Sequence, residues 1–433
     1  MALGKIVTSK LVAPFRSVAV GISGGVDSAV TALLLKQKGK SILLPSFLWA
    51  HSDFFILYPG FDVKGVFMRN WDEVDEIGVC SVDQDCEDAK WVCDKLSVPF
   101  YQINFVKEYW NDVFSELIKD YESGFTPNPD ILCNRYIKFN RFLHYAMNNL
   151  KVGAVATGHY ARSSFGNYLE HYSPDRNAKL LKPCDSGKDQ TFFLSQIPQA
   201  ALQRTLFPLA DMMKEEVKQI AEENGFDRIL KRKESMGICF IGSRKFQKFI
   251  AEYVPDREGK FIDIETGKVV GTHQGIHHWT LGQRSKIGGL AKPYYIAKKL
   301  PETGNIFVAA GANHPALTTK LMFTKKPYWI DSEPDELKKH SILKCQFRFQ
   351  HTYDTTNCTL LKDTKGNLFI HLEEPLLALT PGQFAVFYQR DECLGSARIE
   401  KIGPTFFTLN PKECKRTPAE DGKEAEVNEG VAS

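Results

Sequence analysis

The ten cysteines of this 433-residue chain include no C-x-x-C pair and form no dense framework. This pattern argues against zinc ribbons, zinc fingers and a disulfide scaffold, and scattered thiols are typical of a reducing intracellular compartment. Cys80, Cys86 and Cys93 lie close together in sequence, but the last two fall on one helical face with Ala89 and Leu96. We therefore interpret this group as helix packing rather than as metal ligands.

The chain also lacks a strong charge of either sign, since its formal net charge is only +3. A dedicated nucleic-acid-binding domain is usually far more basic, so bulk charge neither predicts nor excludes an RNA partner. Acidic residues are absent before Asp27, whereas Lys5, Lys10 and Arg16 are present. This composition is typical of a mitochondrial presequence, which we place at residues 1–16, although a plain basic N-terminus fits equally well.

The longest apolar stretch, residues 41–60, is not a continuous hydrophobic run. Two prolines, a histidine and an aspartate interrupt it, which argues against a transmembrane helix. Residues 40–60 also separate the first predicted helix from the next strand, a connection that usually takes about 2 to 6 residues. We interpret the segment as an unusual insert, either a lineage-specific surface loop or a retained intron in the gene model.

Strand and helix patterns alternate from residue 17 to about residue 165. Such alternation predicts an α/β fold, in which a parallel sheet carries helices on both faces. Residues 205–230 continue with a helical pattern. After about residue 255, short alternating runs with turn signals predict a small β barrel or sandwich. The tail from Arg416 is acidic and free of aromatics, as is typical of disorder.

The stretch VAVGISGGVDSA, residues 18–29, passes from an apolar strand through two adjacent glycines into a helix. Such a turn presents backbone N–H groups to an anion, and Ser23 and Ser28 add hydroxyl donors. Asp27 would repel a phosphate unless a magnesium ion lies between them. The stretch lacks the Gly-Lys-Ser/Thr of the common P-loop NTPases, so we predict a different ATP site that adenylates its substrate. A glycine-rich turn with an aspartate cap is the alternative.

Two cysteines stand in settings that favour reactivity. Asp130 and Cys133, within TPNPDILCN, are three residues apart at a predicted helix start, so their side chains share a face. A helix dipole makes a first-turn thiol more acidic, while Asp130 could equally be only an N-cap. Cys239, within SMGICFIG, follows three basic residues that also favour a thiolate. Simple burial is the more common fate of a cysteine in such a loop.

SGGVDS resembles the PP-loop of the N-type ATP pyrophosphatases, which adenylate a carbonyl oxygen and then displace AMP. Within that superfamily the chain resembles the tRNA-specific 2-thiouridylases, in particular their mitochondrial form. The likeness extends from about residue 17 to about residue 404, outside the insert. It rests on the separated motifs GVFMRNW, TPNPDILCN, TGHYAR, KDQTFFLSQ, SMGICFIG and LGQR.

The resemblance implies the division of the chain into domains. A HUP-like PP-loop domain is followed by a small central domain, a C-terminal β barrel and a disordered tail. We place these four parts at residues 17–232, 233–315, 316–411 and 412–433.

The resemblance also implies roles for the two cysteines. In the family, ATP adenylates O2 of the wobble uridine, and a persulfide sulfur on the second cysteine attacks C2. Carried over here, Cys239 bears the persulfide and Cys133 is the resolving nucleophile, which forms a disulfide or liberates sulfide. Asp130 would be the acid/base and, with Asn128 and Pro129, would hold the target base.

Nucleotide and RNA contacts are implied in the same way. ATP with Mg²⁺ would bind Gly21, Ile22, Ser23, Gly24, Gly25, Val26, Asp27, Ser28, Met68 and Gly158. The tRNA would contact Asn128, Pro129, Asp130, His159, Lys188, Asp189, Gln190, Arg348, Phe349 and Gln383. A plain strand-end position for His159 and a solvated face for Lys188 are the alternatives. Met68 and Gly158 each end a predicted strand, where nucleotides bind in parallel sheets.

The implied partners are tRNAs for Lys, Glu and Gln and a cysteine desulfurase or sulfur relay, with no membrane, in the mitochondrion. Some members of the wider superfamily bind an iron–sulfur cluster through extra cysteines. Tyr136 stands three residues after Cys133, where a C-x-x-C pair would need a second cysteine. We therefore predict no cluster and no other metal site.

Two other function classes stay open at this point. A PP-loop amidotransferase or ligase would use the same adenylation to deliver nitrogen, but no recognisable glutaminase domain accompanies the chain and both cysteines would lack a role. A non-catalytic RNA-binding protein could keep the fold alone, but the intact SGGVDS argues against it.

Overall fold

A computed structural model describes residues 15–38, 60–72, 81–232, 246–289 and 291–409. The predicted presequence up to residue 14, the insert at 39–59 and the tail from residue 410 lie outside these ranges. Within them, no helix combines the length and the apolar composition needed to cross a membrane.

The elements up to residue 232 form the N-terminal domain. In chain order they are β1 Ser17–Gly21, α1 Val26–Gln37, β2 Asp62–Arg69, α2 Ser81–Leu96, β3 Phe100–Asn104, α3 Val106–Tyr109, α4 Ser115–Glu122, α5 Pro129–Cys133, α6 Phe142–Asn148, β4 Ala154–Ala156, β5 Arg162–Ser163, β6 Leu180–Leu181, α7 Gln199–Leu202, β7 Thr205–Leu206, α8 Lys214–Glu223 and α9 Asp227–Leu230. π-Helical turns at Trp110–Phe114 and Asn134–Arg141 and a 3₁₀ turn at Ser186–Lys188 complete the set.

Five of these strands pair in parallel in the order β3-β2-β1-β4-β7, which confirms the predicted parallel sheet. The connections run outward from β1 through β2 to β3 and then cross to β4 on the other side. Because such crossovers are right-handed, this reversal places helices on both faces of the sheet.

The prediction of a helical pattern over residues 205–230 is only partly right. Thr205–Leu206 form the edge strand β7 beside β4, and helix α8 begins at Lys214. Phe207, the next residue, is fully buried. Sheet pairing therefore overrides the local helical periodicity here.

A continuous helical stretch runs from Pro129 to Asn148, because a π-helix at Asn134–Arg141 joins α5 to α6. Proline suits the first helical position, where an N–H would have no partner within the helix. Phe139 has φ −104° and ψ 18°, which marks a kink inside the π segment. Such irregular turns frequently lie next to functional sites.

The described residues on either side of positions 39–59 lie close together. A Cβ on Gly60 would stand 3.0 Å from the carbonyl oxygen of Lys36. Two residues later, Asp62 pairs with Ser17 at the start of the β1–β2 ladder, so the sheet next to these residues is intact.

A second, small sheet forms the central domain. Its elements are α10 Phe246–Ala251, β8 Gly259–Asp263, β9 Val269–His273, a 3₁₀ turn Ile276–His278, β10 Tyr294–Leu300 and β11 Asn305–Ala310. The strands pair in the order β10-β11-β8-β9 around a core of Phe261, Ile296, Ile306 and Val308.

The C-terminal domain confirms the predicted β barrel. Its elements are a 3₁₀ turn Pro315–Leu317, β12 Thr318–Thr324, β13 Tyr328–Trp329, α11 Asp335–His340, β14 Ile342–Arg348, β15 Thr356–Lys362, β16 Leu368–Leu377, β17 Phe384–Gln389, β18 Glu392–Ile402 and α12 Phe406–Leu409. Six antiparallel strands follow the order β12-β16-β15-β14-β17-β18, and β18 pairs again with β12 to close the ring. Closure leaves these strands without an open edge.

The barrel and the N-terminal domain share structure. Strand β6 pairs with β5 on one side and with the barrel strand β18 on the other. Ile330, Phe384 and Tyr388 of the barrel belong to the same apolar core as the parallel sheet. The C-terminal domain is therefore built into the N-terminal one rather than tethered to it.

Candidate active site at the carboxyl edge of the parallel sheet

The predicted ATP loop lies where the direction of the strand connections reverses. Strand β1 ends at Gly21, and its parallel neighbour β4 ends at Ala156. The residues that follow these two strands therefore meet at the carboxyl edge of the sheet, where ligands bind in such folds. Helix α1 begins at Val26, so the N–H groups of its first turn lie at the same edge.

Two serine hydroxyls hold the loop in shape, and the first, Ser23 Oγ, accepts from the Gly25 N–H at 3.4 Å. Ser28 Oγ donates to the carbonyl oxygen of Gly25 at 2.9 Å and accepts from the Ser23 N–H at 3.2 Å. Gly24 has φ +80°, and a Cβ there would stand 2.6 Å from the carbonyl oxygen of Asp85 in α2. Both the backbone conformation and this close approach therefore require glycine at position 24.

Met68 and Gly158 adjoin the loop, as their strand-end positions predict. A Cβ on Gly158 would stand 2.8 Å from the backbone nitrogen of Ser28, so only glycine fits between the two segments. The Cε of Met68 lies 3.2 Å from the place a Cβ on Gly21 would occupy. The structure thus brings all the predicted nucleotide-binding residues together.

The carboxylate of Asp27 is neutralised by a lysine that the sequence motifs do not reveal. Lys214 Nζ donates to both carboxylate oxygens, at 2.8 and 2.9 Å, and Tyr160 Oη donates to one of them at 3.0 Å. The Lys214 side chain is 7% exposed and that of Asp27 is 32% exposed. The pair places a positive group beside the loop and offsets the repulsion expected between Asp27 and a phosphate.

Lys214 is held in place by the rest of its helix. Its backbone N–H donates to Asp185 Oδ2 at 2.9 Å. It lies on the buried face of α8 with Val217 and Ala221. Because 187 positions separate Lys214 from Asp27, no local motif predicts their ion pair. The sequence signal that could have indicated it is the position of a lysine on an otherwise apolar helix face.

Asp130 and Cys133 lie near the start of α5. Asn128 Oδ1 accepts from the Asp130 N–H at 3.2 Å, so Asn128 is the N-cap and Asp130 is not. Pro129 is the first helical residue, which makes Cys133 the fifth and places it just past the first turn. The predicted first-turn position of this thiol is therefore wrong by about one residue, and the helix dipole acts weakly there. Cys133 is buried.

Burial sets the electrostatics around Asp130 and His159. It raises the pKa of Asp130, against the opposing effect of Lys138, and it lowers the pKa of His159 well below its usual value, an effect to which Lys138 adds. His159 Nδ1 lies 2.8 Å from Thr157 Oγ1, and its ring contacts that of Phe139 at the π-helical kink. An imidazole that stays neutral and a carboxyl group that holds its proton more tightly than usual suit acid/base chemistry.

The residues of the Lys188–Gln190 segment have three different surroundings. Lys188 is exposed. Gln190 Oε1 accepts from the Tyr160 N–H at 2.9 Å and so braces the tyrosine that reaches the loop carboxylate. Asp189 Oδ2 accepts from Arg348 Nη2 at 2.6 Å, with side chains that are 5% and 6% exposed.

This buried ion pair lies between the barrel and the N-terminal domain. Arg348 also donates to Tyr388 Oη at 2.8 Å. Phe349 is buried, and its ring is nearly parallel to that of Phe347, at an angle of 5°. Protein therefore covers the side chains of Arg348, Asp189 and Phe349, and their contact with tRNA stays a prediction.

Gln383 reaches from the barrel to the loop that precedes α5. Its Nε2 donates to the carbonyl oxygens of Thr126 and Pro127 at 2.9 and 3.3 Å. Asn128 Nδ2 donates to its Oε1 at 3.5 Å. The barrel thus holds the helix cap next to Asp130, although 255 positions separate Gln383 from Asn128.

Cys239, the predicted persulfide cysteine, lies outside the described residues, so its pairing with Cys133 stays a prediction. Cys80 also lies outside them. Cys86 and Cys93 do belong to one helix, α2, and Cys93 is fully buried. Burial raises the pKa of Cys93 to about 12, which fits a packing role.

Three family models match consecutive parts of the chain. The tRNA methyl transferase HUP domain matches residues 16–55 and 50–243, the tRNA methyl transferase PRC-barrel domain matches 247–310, and the Aminomethyltransferase beta-barrel domain matches 319–399. The first match divides at residues 50–55, inside the predicted insert.

Curated relatives resemble the chain along nearly its whole length. It is 47% identical over 423 residues to Mitochondrial tRNA-specific 2-thiouridylase 1 of Gallus gallus, covering 92% of this chain and 95% of that protein. It is 49% identical over 390 residues to the protein of the same name in Drosophila melanogaster, covering 90% and 95%. The tRNA-specific 2-thiouridylase of Alkaliphilus oremlandii is 38% identical over 391 residues, covering 89% and 97%.

Proposed function

Because the chain belongs to the family of the tRNA-specific 2-thiouridylases, we propose that it catalyses ATP-dependent 2-thiolation of the wobble uridine, position 34, of tRNAs in the mitochondrion. One observation carries the proposal. The PP-loop and its buried lysine lie at the carboxyl edge of the sheet, and the continuation of the Asp130–Cys133 helix contacts His159 there through Phe139, in a chain whose relatives bear this name.

ATP binds at the Gly21–Ser28 loop in this proposal. The loop N–H groups and serine hydroxyls surround the phosphates, Lys214 adds a positive charge, and Met68 and Gly158 complete the walls. The site fits a magnesium ion at Asp27, whose carboxylate is partly exposed and could trade a Lys214 contact for the cation. The ion would neutralise phosphate charge.

The reaction has two bond-forming steps. O2 of the uridine attacks the α-phosphorus of ATP, and pyrophosphate leaves. The terminal persulfide sulfur on Cys239 then attacks C2, and AMP departs with the former O2, because adenylation has turned a poor leaving group into a good one. Asp130 exchanges protons with the base, as its raised pKa permits.

Cys133 resolves the persulfide. If its thiolate attacks the Cys239 sulfur once the outer sulfur is bonded to C2, the S–S bond between the two breaks, the thiolated uridine leaves, and a Cys133–Cys239 disulfide forms that a two-electron reductant must return to thiols. If it attacks before transfer, the same disulfide forms and the released sulfide is the species that attacks C2. Both routes require a persulfide donor, and we propose a cysteine desulfurase or its relay.

The tRNA approaches the edge of the sheet with its wobble base out of the stack, since a stacked base would not expose C2. Asn128, Pro129 and Asp130 hold that base in this proposal, and His159 and the exposed Lys188 contact the RNA directly. Asp189, Gln190, Arg348, Phe349 and Gln383 shape the surface that the tRNA contacts. We propose tRNAs for Lys, Glu and Gln as substrates.

The test combines the full chain with ATP, unmodified tRNA and either sulfide or a persulfide-loaded desulfurase. Thiolated tRNA is detected by its retardation on a mercury-containing gel. Cys239→Ser should abolish transfer from the persulfide donor and leave tRNA-dependent pyrophosphate release intact, whereas Asp27→Ala should abolish both. Cys86→Ser, in α2, is the matched control and should retain both activities.

Full sulfur transfer by Cys239→Ser would show that the cysteine roles are wrong. Replacement of the sulfur source by ammonia or glutamine tests the nitrogen-delivering alternative, which the relatives do not favour. Product formed only with a nitrogen source would overturn the proposed function.

A further inference from the structure

The central domain holds two histidines and a carboxylate that thiolation does not use. His277 and His278 lie in the 3₁₀ turn between β9 and β10, and Asp256 lies in the segment between α10 and β8. Asp256 Oδ1 stands 3.2 Å from His277 Nε2 and 2.7 Å from His278 Nε2. The three potential ligand atoms lie within 4.8 Å of one another.

Hydrogen bonding leaves this cluster incomplete. One proton can bridge His278 Nε2 and Asp256 Oδ1, but His277 Nε2 faces the same oxygen and has no hydrogen-bond partner among the described residues. The His277 side chain is only 4% exposed, so water does not readily compensate. A buried polar nitrogen without a partner costs about 1–3 kcal/mol.

We propose that Nε2 of His277, Nε2 of His278 and the carboxylate of Asp256 bind a divalent cation of the zinc class. Two imidazoles and one carboxylate form a donor set that zinc prefers. Zinc–nitrogen bonds of about 2.0–2.1 Å put neighbouring ligands of a tetrahedron roughly 3.4 Å apart. His277 Nε2 is 3.2 Å from Asp256 Oδ1, close to that separation, whereas His278 Nε2, at 2.7 Å, would have to move away from the oxygen to admit the ion. Asp256 is 46% exposed, which leaves room for water as a fourth ligand and a path for entry.

A basic side chain next to the histidine turn is engaged by the backbone. Lys299 Nζ donates to the carbonyl oxygen of Trp279 at 2.8 Å, so its positive group is held by that carbonyl.

The cation would brace a contact between domains. Thr280, two residues beyond His278, has its hydroxyl 3.5 Å from that of Thr126, in the loop that Gln383 also holds. Joining Asp256 to the histidine turn would therefore fix the central domain against the loop that leads into α5. The role is structural and separate from the thiolation chemistry.

The experiment measures zinc binding to the full chain after treatment with a chelator. Isothermal titration should show a site in the wild type that is lost, or weakened at least about tenfold, in the His277→Gln/His278→Gln double variant and in Asp256→Asn. His314→Gln is the matched control, because His314 is a buried histidine that faces a single carboxylate, Glu265, at 3.3 Å. That variant should bind zinc like the wild type.

Cobalt(II) substitution distinguishes this site from the cysteines elsewhere in the chain. A tetrahedral cobalt spectrum without sulfur charge-transfer bands, absent from the double variant, supports the proposal. Equal zinc binding by the wild type and both variants, or no binding by the wild type, would overturn it. Because Asp256 is exposed, Asp256→Asn decides the matter even if the double variant fails to fold.

Discussion

Two aspartates of the N-terminal domain each pair with a basic residue far along the chain, and the two ion pairs differ in burial. Asp27 is 32% exposed beside a buried Lys214, whereas Asp189 and Arg348 are 5% and 6% exposed. A pair that is open on one side can exchange a partner for a ligand. A pair enclosed on all sides can only hold its surroundings together.

The comparison shows that charged residues in functional motifs have two different tasks. The first pair puts a positive charge next to the loop that we propose binds the phosphates of ATP. The second joins the barrel to the sheet and, through Tyr388, to the core that both share.

The largest expected effect is on stability. Arg348→Met leaves Asp189 buried without its cation, and breaking a buried pair on one side costs about 3–5 kcal/mol of unfolding free energy. Chemical denaturation followed by circular dichroism measures it. The double variant Asp189→Leu/Arg348→Met should recover much of the loss, since no buried charge remains.

Lys179→Met is the control for that series, because Lys179 pairs with Glu392 at the surface with 52% of its side chain exposed. Its effect should stay below about 1 kcal/mol. An equally small effect of Arg348→Met would mean that Arg348 is not buried as described.

The next effect is on catalysis. Lys214→Met removes the positive charge beside the PP-loop, and the loss of one such electrostatic contact typically lowers kcat by about 10²–10³-fold. The rate of tRNA-dependent pyrophosphate release measures it, again with Lys179→Met as the control. Normal adenylation by a folded Lys214→Met protein would show that this lysine only neutralises Asp27.

A smaller effect is expected where the barrel positions the cap of α5. Gln383→Ala removes its hydrogen bonds to the loop, and a net loss of about 1.4 kcal/mol corresponds to a roughly tenfold lower kcat/KM for tRNA. ATP affinity should not change. Gln389→Ala, at an exposed position in β17, is the matched control. A matching loss of ATP affinity would mean that Gln383 supports the whole sheet edge.

The smallest effect is a pH-dependent gain in stability. Burial raises the pKa of Asp130, so the folded state binds this proton more tightly than the unfolded state does. As the pH rises above the pKa of an aspartate in the unfolded chain, near 4, ionisation of Asp130 therefore destabilises the folded state. Asp130→Asn should therefore raise the unfolding midpoint at pH 7 slightly, with little change at pH 3, and abolish thiolation. A lower midpoint at pH 7 would show that the carboxylate is paired.

Local patterns predicted the sheet, the barrel and the ATP loop, because the residues that indicate each of them are neighbours in the sequence. The loop residues from Gly21 to Ser28 carry their own turn chemistry, whereas Met68 and Gly158 came from the family resemblance and fit it by their positions at strand ends. Features that need distant residues to meet were missed. Lys214 looks like an ordinary helix residue, and the His277–His278 turn shows no ligand spacing because Asp256 joins it only in the fold.

Two local errors have physical causes as well. The prediction of a helical pattern over 205–230 was wrong for its first residues, which form an edge strand, because pairing with the sheet decides the structure of a short apolar run. The predicted first-turn position of the Cys133 thiol was wrong because Asn128 is the N-cap and Pro129 is the first helical residue, which places Cys133 just past the first turn. Both outcomes depend on side-chain contacts that periodicity does not contain.

The apolar core shared by the sheet and the barrel limits how this architecture can be trimmed. A gene that lost its final third would still encode the entire nucleotide loop, yet its product would expose the surface that Ile330, Phe384 and Tyr388 now cover. Exposed apolar surface of that kind promotes aggregation. The barrel therefore cannot be removed without uncovering the core of the sheet itself.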